Sequence, residues 1–284
     1  MLPPDSHAHS QWSWDAWGGS MEGSCARALE LELPAIAFTE HVDFTRWVIA
    51  PGVKARMREE LAALVAPDGR FDAPALDVDG YLACLRECRE RFPGLRILAG
   101  VELEAPHWYP EQVKEILDRV DGERLLGALH TVVVGGEPWP VDDLLGEDAP
   151  QGMTPELAMR GYLAELLRLV ESASPFEVLA HIDYPVRHWP KALRPFDPAA
   201  FEEEYRAVLA ALAASGRVLE INTRVPLGPE VVRWWHEAGG EALSFGSDSH
   251  DPTWVGRRFP EAAAIAEAQG FRPGRHPHDL WRRA

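Results

Sequence analysis

This chain has little cysteine, little positive charge and no long apolar run, and each shortage excludes something. Cys25, Cys84 and Cys88 are its only thiols. An odd, low count without the basic start and apolar core of a secretory signal argues against a disulfide scaffold and predicts reduced thiols in a cytoplasmic protein. Cys84 and Cys88, four apart on an expected helix, read as small buried hydrophobes rather than a metal pair. Lys and Arg total 28 against 45 Asp and Glu, a net charge of −17. No cluster of basic residues offsets this, so the surface repels nucleic acid phosphates. Bound cations would neutralise part of it. No apolar run approaches ~18 residues, so no transmembrane helix is expected and no membrane partner. There is no G-x-S-x-G nucleophile elbow, no glycine-rich phosphate loop and no dinucleotide fingerprint. Internal repeats, low-complexity tracts and convincing linkers are also missing.

What is present fits one α/β domain across residues 1–284, 46% hydrophobic and 26% charged. Short apolar runs alternate with helical periodicity. Strands are expected at Leu2–His9, Ala35–Thr39, Arg96–Glu104, Leu125–Val134 (interrupted by His130), Val178–Ile182, Val218–Asn222 and Ala242–Ser247. Helices are expected at Met21–Leu31, Val78–Phe92, Glu111–Val120, from Thr154 to about Ala173, Pro198–Ser215, Pro229–Ala238 and Pro260–Gln269. Thr154-Pro155-Glu156 combines a cap residue, Pro at the first helical position and an early acid. From about residue 44 to 80 the pattern breaks up: a short helix over Lys54–Val65 and a turn at Pro67-Asp68-Gly69 suggest an insertion or lid. Gly135–Gly152 reads as a long loop. Seven strands separated by helices imply a closed or nearly closed parallel barrel, whose chemistry sits at the C-terminal strand ends.

Residues able to bind metal fall at those ends. His7 and His9 are one residue apart, so on an extended strand they share a face. Glu40-His41, Glu102, His130, His181 and Asp248-Ser249-His250 each follow an apolar run. Imidazole and carboxylate without thiolate suit Zn, Mn or Fe. The strong candidates are His7, His9, Glu102, His130, His181, Asp248 and His250, with His41 and Asp15 in addition. About four ligands hold one ion, so this set implies two or three divalent ions sharing a bridging carboxylate. Such clusters generate hydroxide near neutral pH and clamp a transferring phosphoryl group. His107, His236, His276 and His278 read as surface or packing residues.

Six stretches, in order and across nearly the whole chain, resemble the PHP (polymerase and histidinol phosphatase) family. They are Asp5-Ser-His-Ala-His9, Phe38-Thr-Glu-His41, Gly100-Val-Glu-Leu-Glu104, Gly127-Ala-Leu-His130, Ala180-His-Ile-Asp183 and Gly246-Ser-Asp-Ser-His250. The resemblance implies a distorted (β/α)7 TIM-like barrel with a trinuclear metal site. It would place His7, His9 and Asp248 on the first metal. Glu102 would bridge to a second, held also by His130 and His181. His41 and His250 would bind the third. Family members often carry a further His soon after the first motif. Here the stretch is Gln11-Trp-Ser-Trp-Asp15, and Asp15 would supply oxygen in its place.

Within the family the chain looks most like the histidinol-phosphate phosphatase branch. That similarity makes Arg160, in Met159-Arg-Gly-Tyr162, and Arg224, directly after Asn222-Thr223, candidate contacts to the substrate phosphate, with Arg187 a third. Trp12, Trp14, Trp17, Trp139, Trp189 and Trp254 lie in loops on the expected site side, as packing, as a lid, or as an aromatic wall for a flat group. The expected activity is metal-dependent hydrolysis of a small phosphomonoester, with L-histidinol phosphate the best substrate. Asp248 or His250 would protonate the leaving alkoxide. The alternatives are a phosphatase or phosphodiesterase for a nucleotide or another metabolite, a metal hydrolase of C–N bonds, and a non-catalytic metal-binding module.

Overall fold

Strands buried on both faces read as continuous apolar runs, and they belong to parallel sheets covered by helices. The computed structural model, which describes residues 2–193, 195–225 and 227–284, follows that rule. Strand β1 (Asp5–Ala8) leads through helix α1 (Met21–Glu30) to β2 (Ala35–Val42), every residue of which is buried. An excursion follows, made of β3 (Arg46–Val48), α2 (Pro51–Arg56), α3 (Glu59–Ala62) and β4 (Arg70–Asp72). The chain returns through α4 (Val78–Arg91) to β5 (Arg96–Glu104), then α5 (Pro110–Leu117) and β6 (Arg124–Ala128). The hairpin β7 (Thr131–Val134) and β8 (Glu137–Pro140) precedes α6 (Val141–Leu144) and α7 (Pro155–Glu171). After β9 (Val178–Leu179) come α8 (Glu202–Ala214), β10 (Val218–Asn222), α9 (Pro229–Glu237), β11 (Ala242–Gly246) and α10 (Phe259–Ala268). Two short strands, β12 (Phe271–Arg272) and β13 (Trp281–Arg283), end the succession.

The main sheet runs β1-β2-β5-β6-β9-β10-β11-β13-β12, parallel as far as β11 and antiparallel at the last two. It curls. Asp248 N–H donates to His7 O and His9 N–H to Ser249 O, both at 2.8 Å, so the chain just beyond β11 meets the end of β1. The Asp5 carboxylate ties the same seam by accepting from Ser247 N–H (2.9 Å) and Gly256 N–H (3.0 Å). One large core of Leu, Val, Ile and aromatic side chains packs the helices onto the sheet. Among the described residues no helix is long and apolar enough to cross a membrane.

Several expectations need correction. The Lys54–Val65 helix is two short pieces parted at Met57 and Arg58, both extended (ψ 155° and 144°). Helices this short do not sustain themselves. They rest on a satellite core of Trp47, Ile49, Val65 and Phe71. Thr131–Val134 leaves the main sheet to pair with Glu137–Pro140 across Gly135 and Gly136, both at positive φ (63° and 88°). A Gly-Gly pair between apolar runs is a hairpin signal that the reading of residues 135–152 as loop passed over. The strand at Val178–Ile182 stops at Leu179, because His181 takes φ 23° and cannot continue an extended chain. The C-terminal strands β12 and β13 carried too short a pattern to be foreseen.

Candidate metal centre

The strand ends bring the predicted ligands into one cluster. In-register pairing of β2 with β5 sets His41 beside Glu102, and His41 Nδ1 lies 3.0 Å from Glu102 Oε2. The other oxygen, Oε1, is 2.7 Å from His181 Nε2 and 3.6 Å from His130 Nε2. Oε2 is also 3.4 Å from Nε2 of both His7 and His9. Glu102 therefore straddles two groups of imidazoles, one from the loops after β6 and β9, the other from β1 and β2. Asp248 faces the second group, with Oδ1 3.6 Å from His9 Nε2 and 3.9 Å from His7 Nε2. Asp15 reaches His41 Nε2 at 3.4 Å and His250 Nε2 at 3.2 Å. His181 and Asp248 both adopt positive φ, an unfavourable backbone for residues with a Cβ, held here at the site.

Around the cluster, acceptors fix which ring nitrogen faces inward. His7 Nδ1–H donates to Glu220 Oε1 (2.7 Å), and His9 Nδ1–H to Ser13 Oγ (2.9 Å). Ser13 in turn donates to Glu40 Oε2 at 2.6 Å. His250 Nδ1–H donates to Asp248 O (3.1 Å). Each bond leaves an Nε2 lone pair pointing into the cluster. The lone pairs then crowd: His7 Nε2 to His9 Nε2 is 3.0 Å, His41 to His250 and His130 to His181 each 3.4 Å. Buried acceptors without a donor lie among them, including Glu102 Oε2 and Asp15 Oδ1.

The ionisation directions divide the imidazoles of the cluster. Burial alone would lower His7, but the Glu220, Glu102 and Asp248 carboxylates hold it well above its ordinary value. Burial and the neighbouring His41 and His250 push His9 well below. Burial brings His181 down to about 4. Burial would raise Glu102 and Asp248, yet His7, His41 and His130 for the one, and Arg187, His7 and His250 for the other, keep both well below the usual carboxylate range. Crowded imidazole nitrogens facing buried carboxylate oxygens fit divalent cations, which would take the place of the protons that the carboxylates hold on His7, His41 and His130. Among the described residues four trios lie within ligand reach: His7-His9-Asp248, His7-Glu102-His181, His9-His41-His250 and His41-Asp43-His130.

The cluster forms the floor of a cavity of about 570 Å³. Arg187 and Arg224 line it, with Arg187 Nη2 2.6 Å from Asp248 Oδ2 and Arg224 Nη1 3.7 Å from Oδ1. Arg160 does not. It lies on the outer side of α7, half exposed, paired with Glu204, stacked 5.1 Å from the Phe201 ring and donating to Ala200 O, so its expected phosphate contact is corrected. Helix α7 instead serves the site through Tyr162, whose hydroxyl donates to His181 O at 3.0 Å. Of the loop tryptophans only Trp14 and Trp254 line the cavity, joined by Trp47, Ile49, Val53, Met57, Leu61 and Phe71 of the excursion after β2.

The sequence reading missed Glu220, Asn222, Ser13 and Asp43. Glu220 was detectable: an acid inside the apolar run Val218–Asn222 has to meet a partner. Asn222 shares its strand face and donates to Glu220 Oε2 (3.1 Å) and Asp248 Oδ2 (3.3 Å).

Comparison with known proteins decides the lineage. The PHP domain family model matches residues 5–224. The chain belongs to the PHP domain family. It is 23% identical over 275 residues to the histidinol-phosphatase of Lactococcus lactis subsp. lactis, covering 94% of this chain and 91% of that one. It is 27% identical over 272 residues to a Deinococcus radiodurans protein named "probable histidinol-phosphatase", covering 91% and 90%. Its fold matches the crystal structure of the L. lactis histidinol phosphate phosphatase complexed with zinc, L-histidinol and phosphate, with TM-score 0.76, 21% identity and 95% of each chain covered. Within the PHP family, these relatives place the resemblance in the histidinol-phosphatase-like branch.

Proposed function

We propose that this PHP-family protein is a metal-dependent phosphomonoesterase whose substrate is L-histidinol phosphate, released as L-histidinol and phosphate. The observation that carries the reading is Glu102, its two oxygens turned to two separate groups of inward-facing imidazoles under a cavity lined by Arg187 and Arg224. His7, His9 and Asp248 would hold one ion, and His130 and His181 a second, with Glu102 between. His41, His250 and Asp15 would hold a third. Zinc, manganese and iron suit these donors. Bound divalent cations would supply Lewis acidity and a water acidified to near-neutral pH.

The protein's own groups do the rest. Glu220 and Ser13 hold His7 and His9 in one tautomer. Arg187 and Arg224 would take phosphate oxygens and steady the developing charge. Asp248, paired with Arg187 and held well below the usual carboxylate range, is poorly suited to protonate the leaving alkoxide, and His250 would do so only while it holds no ion. We read residues from about 44 to 80 as an insertion or lid on the cavity, and residues 1–284 as one domain, a distorted (β/α)7 barrel. The ligand would be a small phosphorylated metabolite, and a cavity of about 570 Å³ has room for one.

The test is phosphate release from a panel of phosphomonoesters with Mn-, Fe- and Zn-loaded protein. L-Histidinol phosphate should give a kcat/KM of roughly 10⁴ M⁻¹s⁻¹ or more, well above the rest. Flat, weak activity across the panel would leave a metal hydrolase and remove the histidinol assignment.

A further inference from the structure

The cavity has two electrical poles. Arg187 and Arg224 lean on Asp248 at the cluster. Elsewhere the wall is acidic, with Asp142 and Asp143 at the start of α6. Asp143 is 7% exposed, and its Oδ2 has no hydrogen-bond partner. A nearby guanidinium, Arg56 of α2, is engaged with Asp148 at 2.5 Å. Asp143 also belongs to none of the metal-capable trios among the described residues. A buried carboxylate oxygen without a partner is costly, and it is tolerated where a ligand completes the group. Burial, with Asp142 and Asp148 beside it, raises this carboxyl to about 7 against the opposing pull of Arg56.

We propose that Asp143 is a specificity residue that receives a cationic amine of the ligand, so that the cavity selects molecules with phosphate at one end and ammonium at the other. The apolar wall of Trp47, Ile49, Val53 and Phe71 completes a place for a flat ring. This builds on the phosphomonoesterase reading but is testable apart from it.

Two probe pairs are needed. L-Histidinol and 3-(imidazol-4-yl)propan-1-ol differ only by the amine, and so do their phosphate esters. Binding of the alcohols to metal-loaded protein is measured by calorimetry, and hydrolysis of the esters as kcat/KM. The amine form should be favoured about 10- to 100-fold, the range of one charge-assisted hydrogen bond. Asp143→Asn should bring that ratio close to one. Because the ratio is internal to each protein, a partly folded preparation does not distort it. An amine preference absent from wild type, or unchanged in Asp143→Asn, overturns the proposal. Hydrolysis of neither ester, with the binding preference intact, upholds the amine site and removes the phosphatase reading. Hydrolysis of both at equal rates does the reverse.

Discussion

Glu220 touches no expected ligand atom of the substrate, yet its replacement by Gln should weaken metal binding. The carboxylate is buried and accepts three bonds: from His7 Nδ1–H (2.7 Å), His181 N–H (2.7 Å) and Asn222 Nδ2–H (3.1 Å). Gln has the same shape but only one acceptor oxygen. Its NH2 must then face at least one of those donors. Either His7 flips its tautomer, turning Nε2–H into the cluster, or a buried N–H loses its acceptor. A hydrogen bond to a charged group contributes about 1.5–3 kcal/mol. Losing one that orients a ligand corresponds to about a 10- to 100-fold loss of metal affinity, the usual cost of removing an outer partner of a ligating His. Metal content after dialysis against graded chelator gives the affinity, and thermal melting separates it from stability. If Glu220→Gln melts lower but keeps wild-type metal affinity and kcat/KM, Glu220 only packs the strand and the tautomer argument is wrong.

Other expectations are quicker to check. Arg187→Ala should cut kcat/KM at least about tenfold by removing a charged contact, while Arg160→Ala, outside the cavity, should stay within about twofold. The opposite order would restore the phosphate role that the sequence suggested for Arg160. Glu165 is a probe of acid stability. It accepts from His107 Nε2 (2.8 Å), with Trp108 Nε1 (2.9 Å) and Arg168 adding to the bond from His107 that chiefly lowers its carboxyl from 4.5 to about 2. A depressed carboxyl stabilises the fold above its unfolded value and loses that contribution as pH falls from 4.5 to about 2. The full effect is at most ~3 kcal/mol, less after solvent screening by the exposed Arg168 side. Glu165→Gln should therefore be less stable than wild type at neutral pH, and the gap should close across that window. Chemical denaturation at stepped pH showing a constant gap would count against the assignment.

The metal-capable residues could be read from the chain because they obey a local rule. A strand that is apolar throughout and then ends in His or Glu announces both a buried parallel strand and the end at which polar groups gather. His7, His9, His41, Glu102, His130, His181, Asp248 and His250 all fit, and the structure brings them together. Arg160 misled because it was placed by motif, and a motif says nothing of which side of a helix faces the cavity. The hairpin at Gly135-Gly136 was visible but outweighed by the apolar run through His130.

The sequence by itself determined the alternation of strands and helices, most of the side chains able to hold a cation and their placement at strand ends, since each follows from short-range periodicity and residue chemistry. Only the tertiary structure decided which candidate ligands share a trio, that Glu102 turns its oxygens to two groups, that Glu220 and Ser13 set the imidazole tautomers, and that Asp143 lines the cavity with one oxygen unpartnered. Those facts depend on contacts between residues far apart in the chain, such as His7 with Glu220 and Asp15 with His250. They arise when the sheet curls until the end of β1 meets the chain beyond β11, and no local pattern records that closure.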